Sequence, residues 1–240
     1  MIKSIEKKIK KVNQLLIEKY GIPPRPDIPP DPVDMLIATI LSQNTNDKNS
    51  YKAFQKLKEK FKTWDEAARQ PRQRIESLIK VAGLGKQKSA AIKNFLTSVL
   101  KEKGKISLDF LKDKSDDEIL EELTHFGGVG VKTASCVLQF SLRRNICPVD
   151  THVHRTTNRI GIVNTSSPDK SFVILKENMP KGIAHSFHTN LIRLGREICR
   201  PAVPVCSACP LVKVCEYEYK NLDKVPVYKE NKFMLLDSIE

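Results

Sequence analysis

The sequence predicts an all-α protein, and three observations carry that reading. No stretch alternates apolar and polar residues for the length a paired strand needs. Apolar residues recur instead at helical spacing, as in Ile2, Ile5, Ile9, Val12, Leu15 and Leu16. Glycine and proline breaks separate such segments, where helices stop and restart. Ile146 to Asp150 is only a short extended link, and Ile160 to Val163 is too brief to found a sheet.

In chain order, residues 1–20 form a basic amphipathic helix. The prolines of Gly21 to Pro32 then forbid helix and favour an extended crossing. Asp31 and Pro32 open the next helix, an acid at the N-cap and proline at the first position. It continues through Met35 to Leu41 as a segment buried nearly all round and ends in the polar run Ser42 to Asp47. Periodicity resumes at Ala53, Phe54, Leu57 and Phe61, and again at Ile75, Leu78 and Ile79. Gly83-Leu84-Gly85-Lys86-Gln87-Lys88-Ser89 reads as a helix–glycine turn–helix with a basic exposed edge. Leu84, an apolar residue between two glycines, is odd for a plain connector.

Asp116-Asp117-Glu118 starts a helix bearing Ile119, Leu120, Leu123 and Phe126, which stops at Gly127-Gly128-Val129-Gly130. Val131, Ala134, Val137 and Leu138 restart it. Glycines there allow positive φ and close approach of a ligand to the backbone. The restarted helix offers unpaired N–H groups and the positive end of its dipole, where a phosphate binds favourably. Lys132 stands in its first turn. A nucleotide-binding P-loop is excluded, because Val131 separates Gly130 from Lys132 and no strand precedes the turn.

The chain has 240 residues, enough for one or two domains with a sizeable core. Lys and Arg number 41 against 28 Asp and Glu, a net charge of +13 spread along the sequence. Such a balance favours nucleic acid as partner. No apolar run is long enough to cross a bilayer and the start lacks a signal core, so the expected location is intracellular, cytoplasmic or nucleoid-associated.

Six cysteines in an intracellular chain are unlikely as a disulfide framework. Four of them, Cys199, Cys206, Cys209 and Cys215, lie six, two and five residues apart, which points to metal. One Cys-x2-Cys knuckle among unequal gaps suits a four-thiolate iron–sulfur cube better than a paired zinc site. Cys136 and Cys147 fall outside this group and read as buried small hydrophobes. Asp150 reads first as a helix N-cap. His152, His154, His185 and His188 make a weak case for a histidine metal site.

Together these residues resemble the endonuclease III family of helix-hairpin-helix DNA glycosylases, over about Val33 to Cys215. The Gly128-Val-Gly-Val-Lys132-Thr-Ala hairpin, Pro148-Val-Asp150-Thr-His and the cysteine tail carry the resemblance, with Lys132 and Asp150 eighteen residues apart. It implies a six-helix lobe over 28–144. It also implies an iron–sulfur lobe joining residues 1–27 to 145–240 and holding a [4Fe-4S] cluster on the four cysteines. Lys132 and Asp150 would face each other across the cleft between them. Lys132 would be the nucleophile of a bifunctional glycosylase and abasic-site lyase acting on damaged, oxidised pyrimidines. Asp150 would stabilise positive charge on the sugar and assist proton transfers.

The resemblance further implies DNA contacts by Gln43, Asn44, Leu84, Gly85, Gly128, Val129 and Gly130. Leu84 and Asn44 would fill the gap left by a flipped nucleotide. The partner would be double-stranded DNA with a damaged base or abasic site, bound by a monomer. Mismatch (G·T or G·U) removal and a non-catalytic iron–sulfur DNA-binding protein are the alternatives. Gly127-Gly128 departs from the family's Leu-Pro-Gly lead, so a looser turn is expected. Only Arg200 is basic between Cys199 and Cys206, so weak DNA contact is expected there.

Overall fold

The computed structural model describes residues 2–223 and is helical throughout, with no strand among the described residues. In chain order come α1 Ile2–Tyr20, α2 Pro32–Ser42, α3 Asp47–Lys60, α4 Trp64–Arg69, α5 Arg72–Ile79 and α6 Gly85–Lys103. They are followed by α7 Asp116–Thr124, α8 Val131–Cys136, α9 Thr151–Ile160, α10 Pro168–Asn178 and α11 Ala184–Glu197. The chain divides into two compact units. Among the described residues, Pro26–Arg144 forms one; residues 2–25 and 145–223 form the other.

The central unit holds seven α-helices rather than six. The short α4 has only Ala67 and Ala68 buried, so it left no apolar stripe to read. Its N-cap Thr63 accepts from Glu66 N instead. Helix α2 is the hub: every residue from Val33 to Leu41 except Asp34 is buried, and Asp31 caps it by accepting from Val33 N at 2.8 Å. Helix α7 starts with a reciprocal capping box between Ser115 and Glu118. α8 continues directly into a π-helical turn over Val137–Ser141, all of it buried. The sequence carries no local mark of that turn.

The second unit brings together distant parts of the chain. Ile9, Val12 and Leu16 of α1 are fully buried. Asn13 accepts from Ser186 of α11 at 3.0 Å, and Asn190 of α11 donates to Gly21 O at 3.1 Å. Lys8 pairs with Glu216 and donates to Gly161 O at 3.1 Å. No helix among the described residues is long and apolar enough to cross a membrane.

Candidate active site and cysteine centre

The central unit gathers most of the expected DNA-facing residues. At the Gly127–Gly130 turn, Gly127, Gly128 and Gly130 are exposed while Val129 is only 4% exposed. Val129 N–H also donates to Phe126 O at 3.0 Å. Val129 therefore anchors the turn in the core, with its N–H bonded within the turn. Gly128 has φ +92°, and a Cβ there would collide with the Ala91 methyl on α6 and lie 3.2 Å from Ala91 Cα. The turn is thus pressed against α6 and not loosely held. No side chain caps α8, whose N-cap is Gly130. Its first-turn N–H groups have no intrahelical acceptor.

Gly128→Ala should lower stability by about 2–4 kcal/mol, from backbone strain plus steric overlap. A thermal melt checks this. Adding Ala91→Gly should restore part of the loss, because it relieves the overlap and not the strain.

Lys132 follows at the second position of α8 and is half-buried. Its neighbour Thr133 is within 3.5 Å of the Gln43 amide, which links the α2 end to the α8 start. Gln43 caps α2 and is exposed, as is Asn44. Asn44 has φ +49° and Leu84 has φ +50°. For leucine that left-handed backbone costs about 1–2 kcal/mol. Leu84 is nevertheless 47% exposed. Gly85 opens α6 half-buried, with the Glu76 side chain 3.4 Å from where its Cβ would stand.

Lys88 is the residue that sequence reasoning misjudged. The expected exposed basic edge holds for Lys86, but Lys88 is 2% exposed. Burial lowers its pKa to about 8. Its ammonium donates to Leu41 O at 2.7 Å and Ala82 O at 2.8 Å. Leu41 lies 47 residues away in sequence and Ala82 in the turn before α6, so no helix-face pattern marked it.

In the other unit, Asp150 is the N-cap of α9, and its Oδ1 accepts from Val153 N at 2.8 Å. Two residues on, His152 has a lowered pKa, chiefly through burial and then through Arg155 and Arg196, against the opposing pull of Asp150. Gly195 lets α11 approach closely: a Cβ there would stand 2.9 Å from His152 Cβ. His154 bonds Ser171 at 2.7 Å and His188 bonds Pro148 O at 2.9 Å. Among the described residues no His, Cys, Asp and Glu group of three or more is arranged to hold a metal ion.

Helix α9 also ties Asp150 to the cysteine tail. Arg155 Nε donates to Cys199 O at 3.0 Å. Arg159 donates to Arg200 O and Pro201 O, each at 2.7 Å, and approaches Cys199 Sγ at 3.5 Å. Cys215 Sγ in turn donates to Arg159 O at 3.2 Å. The four thiols are half-buried and unbridged, whereas Cys136 and Cys147 are fully buried. Burial first, and then Cys199, Cys215 and Cys206, push the Cys209 thiol up to about 12.

A helix–glycine turn–helix with a lysine in the restarted turn, on an all-helical scaffold, defines the class: a helix-hairpin-helix DNA glycosylase. Residues 37–181 match the family described as HhH-GPD superfamily base excision DNA repair protein. A putative DNA glycosylase of Arabidopsis thaliana is 37% identical over 75% of this chain and 65% of its own length, so this chain answers to only part of that protein. Endonuclease III of Thermotoga maritima is 36% identical over 78% of this chain and 84% of its own. A structure of a trapped endonuclease III–DNA covalent intermediate superposes with a TM-score of 0.74 at 25% identity, covering 88% of this chain and 95% of that one. The chain belongs to the HhH-GPD superfamily of base excision DNA repair proteins, and within it to the endonuclease III family.

Proposed function

We propose that this protein is a bifunctional DNA glycosylase and abasic-site lyase that removes oxidised pyrimidines from double-stranded DNA, acting as a monomer. The observation that carries the reading is Lys132 itself, half-buried in the first turn of α8 behind the exposed glycine turn. A base must leave the stack before its glycosidic bond can be attacked. The Lys132 amine, once it has given up its proton, then adds to the sugar C1′ as the C1′–N bond breaks and the base departs with a proton. The C1′–O4′ bond then breaks, O4′ takes a proton and C1′=N forms, and this Schiff base makes the C2′ proton acidic. Its loss expels the 3′ phosphate by β-elimination and cuts the strand. Asp150 stabilises the positive sugar and moves protons. The covalent endonuclease III–DNA intermediate among the relatives supports the same chemistry here.

We assign Cys199, Cys206, Cys209 and Cys215 to a [4Fe-4S] cluster. These four thiolates would be the residues that hold the group. When bound, the cluster supplies positive charge that holds the thiolates and fixes the tail.

Borohydride trapping on a panel of duplexes tests the function. The panel holds an oxidised pyrimidine, an abasic site, and G·T and G·U mismatches. Covalent capture on the first two supports the proposal. Mismatch excision without capture would replace it with a monofunctional mismatch glycosylase, and no reaction on any duplex would leave a DNA-binding protein.

We assign Leu84 and Asn44 to the gap left by the flipped nucleotide, Leu84 as an apolar wedge and Asn44 through its amide. Leu84→Ala should leave the melting temperature within about 2 °C and lower duplex lesion cleavage roughly tenfold, the order of a lost stacking contact. Cleavage of the same lesion in single-stranded DNA should change far less. Equal losses on both substrates with a lower melting temperature would make Leu84 structural.

A further inference from the structure

The central unit contains one lysine that touches neither solvent nor an acid. Lys88 is 2% exposed, and both of its hydrogen bonds go to neutral carbonyls. Burying a charge without a counter-charge is costly, so its retention calls for a reason. The acceptors supply one. Leu41 lies in the last turn of α2, where the carbonyl end of the helix dipole favours a cation. Ala82 ends the 3₁₀ turn Lys80–Ala82.

Three residues beyond Leu41 comes Asn44, and two beyond Ala82 comes Leu84. These are two of the three non-glycine residues with positive φ among the described residues. Lys88 N–H also donates to Leu84 O at 3.0 Å, so the same residue grips the Leu84 turn by main chain and side chain.

We propose that Lys88 is a positioning residue that pins the Asn44 and Leu84 turns to one another through a single ammonium group. The two turns belong to different helix junctions, and each on its own would be a loop tip free to drift. With Leu41 O and Ala82 O sharing one donor, both tips keep fixed spacing, and an exposed leucine in a strained backbone is presented rigidly. The role assigned to Lys88 in repair rests on the reading of Leu84 and Asn44 as gap-filling residues. The pinning itself does not.

Lys88→Met tests both. Met matches the stem and removes the donors. Hydrogen exchange should quicken in peptides covering 41–46 and 82–86 together, while the melt remains a single cooperative transition. Duplex lesion cleavage should fall about tenfold and single-strand cleavage by less than about twofold. In the double variant with Leu84→Ala, the losses should fail to add, because a wedge already removed cannot be misplaced. Unchanged exchange in either turn, or additive losses on duplex DNA, would overturn the proposal. If Leu84→Ala alone shows no duplex-selective loss, the wedge reading fails instead, and exchange alone decides the pin. Should Lys88→Met not fold, Lys88→Arg takes its place with the same readouts. A planar guanidinium cannot set one nitrogen between both carbonyls.

Discussion

Lys132→Ala should abolish borohydride trapping on abasic and oxidised-pyrimidine duplexes. Strand cleavage should fall at least about 10³-fold, because the variant loses the group that forms the covalent intermediate. The fold should survive. Lys132 is half-buried on α8, while the buried neighbours Thr133, Ala134, Ser135 and Cys136 carry the packing. A melting temperature within about 2 °C of the wild type, together with duplex binding retained by gel shift, would separate lost chemistry from lost structure. Persistent trapping in the variant would mean that a different amine attacks the sugar.

Cys209→Ser should have the larger effect on stability. After Cys199 the described tail buries only Pro204, Val205 and Leu211 among its apolar residues, and its one regular element is the 3₁₀ turn Cys206–Ala208. On the proposed reading, a bound metal would supply the order that so little apolar burial does not. Structural zinc in small domains contributes on the order of 10 kcal/mol, which sets the scale for a metal-held tail. Wild-type protein should be yellow-brown, with broad absorbance near about 400 nm from iron–sulfur ligation. The variant should lose the colour and its iron, melt in two steps, and be cut by protease within the tail. Arg155 and Arg159 bond into that tail, so α9 and its cap Asp150 should lose order with it. A colourless wild-type protein holding one equivalent of zinc after anaerobic preparation would replace the cluster with a zinc site.

What the sequence disclosed follows from the range of the forces involved. Asp31 before Pro32 marked the start of α2 because capping is settled within four residues. The Gly127–Gly130 break and the cysteine spacing were visible for the same reason. Asp150 likewise proved to be the cap its position suggested. Lys88 was hidden because its acceptors, Leu41 and Ala82, are brought to it only by the packing of α2, α6 and the turn between α5 and α6. Val129 looked available among glycines, yet a lone valine in an exposed turn is the residue that goes inward. Helix α10 begins with Ser167 as cap and Pro168 at its first position, a start signal as clear as that of α2. It went unremarked because its apolar stripe is short, with only Phe172 and Leu175 buried among its large apolar residues.

One unit is assembled from both ends of the chain, and this fixes an order of events during synthesis. Helix α1 ends at Tyr20, but α11, its partner, begins only at Ala184. At ordinary elongation rates that helix waits roughly ten to thirty seconds with its apolar face uncovered. Pro26–Arg144 is complete long before then and is free to fold while the rest is still being made. The last cysteine emerges after α11, so the proposed cluster would be added to a unit whose helices are already made. A ribosome stalled within α10 should therefore carry a protease-resistant central unit and a protease-sensitive α1.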